Sequence, residues 1–120
     1  MAEFTKLKVW QKAHELTLKI YMLTNQLPES EKFALVSQLR RAAISVGSLI
    51  AEGEDRYTVA DKNKFLIDAR ASCSEIRCQL LLVSDLYQTF SKDALKLEEQ
   101  YKTLAKQINS LITFRRSNNV

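Results

Sequence analysis

The chain has 120 residues, of which 46% are apolar and 27% charged, with two Gly, one Pro and a formal net charge of +4. A domain of that size buries roughly two thirds of the surface its unfolded chain exposes, so neither disulfides nor a metal are needed to hold it, and the scarcity of Gly and Pro excludes a disordered or all-β chain. No signal-like segment opens the sequence and no apolar run approaches the roughly 18 residues that cross a bilayer, which sets the expectation of a cytoplasmic protein with no membrane partner.

From Lys8 to Gln26, the positions Val9, Ala13, Leu16, Ile20, Leu23 and Leu27 recur at spacings of four and three, the seam of an amphipathic helix. Pro28 blocks its continuation. Ser30 followed by Glu31 offers an N-cap and a first-turn acid for a second helix. This helix is expected to reach about Glu52, with Leu35, Leu39, Val46 and Ile50 inward and Gly53 as its stop. Thr58 and Asp61 resemble a capping box and start a third helix near Val59. Its seam of Leu66, Ala69, Cys73, Ile76, Leu80, Val83, Tyr87 and Phe90 is long enough to favour shallow crossing angles between long helices. Ser91 is placed to cap a fourth helix with Leu97, Tyr101, Leu104, Ile108 and Leu111 inward, ending before a polar tail from Arg115. Four seams and three short connections predict one all-α domain over residues 1–120, an antiparallel up-down-up-down four-helix bundle.

An enzyme of this size should show a nucleophile with a base, carboxylates at metal-binding spacing or a phosphate loop. His14 is the only histidine, so the Glu-x-x-His pairs of di-iron bundles cannot occur twice, and it reads as a solvated or helix-boundary side chain. With glycine only at positions 47 and 53, no phosphate-cradling loop or dinucleotide fingerprint can be written. Trp10 and Tyr21 read as packing residues rather than base-stacking ones. Cys73 and Cys78 sit about 140° apart around a helix and read as small core or boundary residues. No catalytic residue, cofactor or metal is expected, and the chain is read as a protein that works by binding.

Two surfaces carry that reading. From Ala42 to Ala51 there is no charge, and with Leu39 at the centre of the core face, Ile44, Gly47 and Ala51 fall on one flank and Ser45 and Ser48 on the outer face. Exposed helix positions are normally charged, so Arg40, Arg41, Ile44, Ser45, Gly47, Ser48, Ala51 and Glu52 are taken as a subunit interface. Arg41 and Glu52 would each meet the opposite charge on a neighbour. The alternative is that loops or the N-terminal arm cover this flank. The positive excess lies in the last 30 residues, and the residues expected to contact phosphates are Lys92, Lys96, Lys102, Lys106, Arg115 and Arg116, with Lys6, Lys8 and Lys12.

The opening Phe4, Leu7, Val9, Trp10, Gln11, Lys12 and Ala13, the run Ser37 to Ala43, and the block Ile50, Ala51, Glu52, Gly53 followed by Arg56 together resemble the four-helix-bundle proteins of the ribosomal-RNA intervening-sequence type, sometimes labelled a ribosomal protein family. Phe65, Leu66 and the Glu75 to Leu80 region resemble its third helix. Two positions depart from the family pattern, which usually has proline at Gly47 and asparagine at Leu49. A related bundle, the accessory protein of diversity-generating retroelements, forms a pentameric ring and binds nucleic acid and a reverse transcriptase. The resemblance therefore implies a homopentamer with RNA or DNA, or a partner protein such as a reverse transcriptase, as its partner. The expected function is a non-enzymatic oligomeric accessory protein for structured RNA, with a protein-interaction scaffold as the alternative.

Overall fold

The structure is a computed structural model, and it describes residues 3–118. Four helices, α1 (Lys8–Thr24), α2 (Ser37–Glu54), α3 (Val59–Leu86) and α4 (Ser91–Ser117), make up the architecture, with no strand among the described residues. Each helix packs on its neighbours in the chain, and α4 closes the square against α1. The first turn of α1 lies by the last turns of α2, where Trp10 meets Gly47, and its end lies by the start of α2, where Arg40 meets Thr24. This is the up-down-up-down bundle. At about 1.5 Å per residue, α3 and α4 reach about 40 Å and α1 only about 26 Å, so α3 and α4 form the long pair of a body 50 × 24 × 20 Å.

The core is the stack of seam residues, with Leu16, Ile20, Leu39, Val46, Ile50, Leu66, Ile76, Leu80, Tyr101, Leu104 and Ile108 buried at its centre. Burying such side chains contributes roughly 1.5–3 kcal/mol each, which is what drives four amphipathic helices together. Residues 29 to 54 are also long and apolar enough, by length and composition, to cross a membrane, which the reading from sequence overlooked. Here Leu39, Ala42, Ala43, Val46 and Ile50 of that stretch face the bundle core.

Several boundaries differ from expectation, each for a local reason. α1 ends at Thr24, whose hydroxyl turns back to the Ile20 carbonyl at 2.8 Å while Arg40 donates to it from α2. Ser30 caps nothing. The chain enters α2 through a 3₁₀ turn (Glu29–Glu31) and a π turn (Lys32–Val36), and Glu31 is tied instead to the far end of α3, where its carboxylate accepts from the Tyr87 hydroxyl and holds that phenol above its ordinary pKa. Tyr87 and Phe90 leave the helical seam, since α3 stops at Leu86, and pack half-buried beside the core. Ser91 begins α4 as a helical residue, sharing a 2.7 Å hydrogen bond with Ser84 rather than capping. Thr58 does cap α3, accepting from the Asp61 amide at 3.1 Å. The polar tail from Arg115 is helical as far as Ser117, and residues 119 and 120 lie outside the described part.

Gly53 is not a helix stop. It lies in the last turn of α2, buried and without a positive φ, close against α3: a Cβ there would stand 2.8 Å from the Phe65 Cβ and 3.4 Å from the Lys62 carbonyl oxygen. Gly53→Ala must therefore push the two helices apart, and denaturant unfolding should show a loss of about 1–3 kcal/mol, despite the better helix propensity of alanine. An unchanged midpoint would mean that the contact yields without cost.

The two cysteines separate. Cys73 is buried and Cys78 exposed. Burial pushes the Cys73 thiol up to about 12, so the folded state keeps it protonated while the unfolded chain ionises it above pH 9. Its contribution to stability is complete below pH 9 and is lost as pH rises toward 12. A thiol reagent at neutral pH should modify Cys78 alone, with Cys73 reacting only after denaturation.

Candidate nucleic-acid interface

The nine basic residues singled out from sequence do not form one surface. Lys6 and Lys8 are exposed where the chain enters α1. Lys12 sits with Lys96, Glu99 and Gln100 along the α1–α4 seam and pairs with Glu15 at 3.5 Å. Lys92 and Lys96 lie at the start of α4, with Lys96 beside Asp93 and Lys19 in a second, largely apolar hollow. Their surroundings are mixed in charge. Arg115 is not free to meet a phosphate: both its terminal nitrogens donate to Glu54, at 2.8 and 2.9 Å, with both side chains 16% exposed. The guanidinium is committed to joining α4 to the end of α2, which answers its charge inside the chain.

Lys102 and Lys106 are placed differently. They stand on the outer side of a groove of about 640 Å³ between α3 and α4, whose other wall carries Arg70 and Arg77 and whose floor is Ile67, Ala71, Ser74, Ala105, Asn109 and Ser110. Among the described residues no acidic side chain lines it. Arg70 donates to the neutral Asn109 amide, while Arg77 is held by Glu98 at 2.7 Å. At Ile67 this groove runs into another of about 290 Å³, lined by Val59, Ala60, Asn63, Lys64 and Arg116. Together they form a channel along the long helix pair with six cations on its walls, Arg77, Arg70, Lys102, Lys106, Lys64 and Arg116, and one of these, Arg77, is neutralised by a carboxylate. Between the cations, Ser74, Asn109, Ser110 and Asn63 alternate with Ala71, Ala105 and Ala60, so short side chains leave the channel open to a backbone. Such a strip suits a chain of phosphates, which takes point charges and hydroxyl or amide donors along its length.

Arg70, Arg77 and Lys64 went unremarked in the sequence because α3 carries no net charge and its seam drew attention to the core. The usable signal was the seven-residue spacing of Arg70 and Arg77, which stacks them on one face opposite Lys102 and Lys106.

The family is decided by its sequence model: that of the 23S rRNA-intervening sequence protein matches residues 5–110. The chain belongs to that family. A solved structure from Bacteroides thetaiotaomicron, described as a protein of unknown function from the S23 ribosomal protein family, superposes with a TM-score of 0.78 at 23% identity, covering 87% of this chain and 97% of its own. At that identity the likeness supports the four-helix fold alone. No curated protein matches the chain.

The proposed subunit face of this family member is only partly available. Arg40 stacks over Tyr21 at 4.4 Å and donates to Thr24 and Asn25, each at 2.9 Å, so it clamps α1 to α2. Arg41 pairs with Glu75 of α3 and with Gln38, so its carboxylate partner is in its own chain rather than a neighbour's Glu52. Ser45 turns into the α2–α3 seam and meets Ser72 at 3.2 Å instead of facing outward. Trp10 covers Gly47, with a Cβ there 3.7 Å from the indole nitrogen, so the first turn of α1 closes part of the flank. Phe4 rests edge-on against Trp10, and exposed His14 stacks on the same indole at 4.9 Å. What stays open is a groove of about 370 Å³ between α1 and α2, lined by Phe4, Trp10, Ile44, Ser48 and Ala51, with Ile44 48% exposed and Glu52 exposed nearby.

Proposed function

We propose that this family member is a non-enzymatic, homo-oligomeric accessory protein that binds structured RNA along the α3–α4 channel. The observation that carries the reading is the channel itself: cations face each other across a floor of mixed small polar and apolar residues, with no acid in the lining among the described residues. The open α1–α2 groove supports self-association. It is largely apolar, with His14, Thr17 and Ser48 among its lining, and a different face of the same chain would have to fill it, the head-to-tail arrangement that closes into rings. By the resemblance noted from sequence, the ring is a pentamer. Five copies of a +4 chain carry about +20, and repeated channels turn modest single contacts into tight binding.

The scaffold alternative rests on the same apolar groove, which would then take a partner protein. The two readings differ in where mutation hurts. Ile44→Glu places a charge in the groove; on the oligomer reading, light scattering of the purified protein should show the mass of a single chain. An unchanged oligomer would sever the groove from self-association.

A further inference from the structure

Resting on the channel reading above, we propose that the channel's end at the α2–α3 turn is built for an unpaired nucleotide, whose base stacks on Tyr57 while its phosphate lies between Lys64 and Arg116. Tyr57 is 101% exposed, the most exposed large hydrophobic side chain among the described residues, and neither its ring nor its hydroxyl has a partner among them. It stands two residues before Val59, which is part of the groove wall together with Lys64 and Arg116. The turn that presents it is fixed on both sides. Arg56 before it lies over the Phe65 ring at 4.6 Å, and Thr58 after it caps α3. A rigid mount for an aromatic ring in open solvent lowers the ordering cost of stacking. Neither Lys64 nor Arg116 has an acidic partner among the described residues.

The chemistry selects the ligand. A paired duplex offers phosphates but keeps its bases stacked inside, so Tyr57 would gain nothing from it. An unpaired nucleotide in a loop, bulge or single-stranded extension presents a free π face next to its own phosphate, which is how aromatic side chains usually take part in RNA recognition. Any base can stack, so the site reads unpaired state rather than sequence.

The test uses the full-length protein and two RNAs of equal nucleotide number with no hairpin loop, a blunt-ended two-strand duplex and a shorter duplex carrying a single-stranded extension, measured by fluorescence anisotropy at about 50 mM salt. The wild type should prefer the extended duplex. Tyr57→Ala should weaken that RNA by about tenfold and leave the blunt duplex unchanged, and Tyr57→Trp should restore the preference. Equal losses on both RNAs, or no loss on either, overturns the stacking site while leaving the channel intact. If the wild type binds neither RNA, the channel reading fails and this site fails with it.

Discussion

Replacing Lys102 and Lys106 together by glutamine should lower the affinity of the oligomer for a structured RNA by about a hundredfold near 0.1 M salt, and should flatten the dependence of log affinity on log salt by about two units for each engaged subunit. The reason is counterion release: each phosphate neutralised by a cation frees bound salt ions, so deleting two cations removes both attraction and salt sensitivity. Both side chains are exposed and make no ion pair in the structure, so the fold should be unaffected, and an unshifted thermal midpoint is part of the expected result. Lys92 and Lys96 supply the control. Their replacement removes the same charge from α4, yet Lys96 faces α1 beside Asp93, away from the channel. If net charge alone draws the RNA, the two double variants will weaken it equally. If the channel does, the control should lose no more than about threefold.

The second large effect is on stability. Glu54→Ala leaves Arg115 as a mostly buried, unanswered charge where α4 meets the end of α2, and should cost about 2–3 kcal/mol, somewhat less than the loss of one partner in a fully buried pair. For a domain of this length that is about 10 °C in the melting temperature. Adding Arg115→Leu removes the stranded charge and should recover part of the loss, because the penalty lies in the uncompensated guanidinium rather than in the missing attraction. A double variant no more stable than Glu54→Ala would show that the pair's geometry, not its charge balance, holds this corner.

The seams were legible because a bundle core needs little more than apolar residues at three-four spacing, and Val9 to Leu23, Leu66 to Val83 and Leu97 to Ile108 lie inward as that spacing requires. Element ends were less legible, since they depend on partners distant in sequence. Glu31, expected as a first-turn acid of α2, turns to Tyr87, 56 residues away, and Arg115 leaves the solvent for Glu54, 61 residues away. Gly53 shows the same limit: its place in the sequence fits a helix stop, and only the Phe65 side chain packed against it reveals a close helix crossing. The candidate site was half legible. Lys102, Lys106 and Arg116 could be read from the charge of the last quarter, whereas Arg70 and Lys64 acquire meaning only once α3 lies antiparallel to α4 and the two rows of cations face each other. On α2 the uncharged run was plain in the sequence, but which of its faces stays open was set by Trp10, backed by Phe4, lying over Gly47.

The most direct test of the account is a binding titration of the unmodified protein with a structured RNA hairpin over a salt series from about 50 to about 200 mM. With six to ten phosphates contacted around the assembly, affinity should fall by about a thousandfold or more across that range, linearly on logarithmic axes. Absence of binding at 50 mM, where phosphate contacts are strongest, or an affinity indifferent to salt, would contradict a nucleic-acid role for the α3–α4 channel.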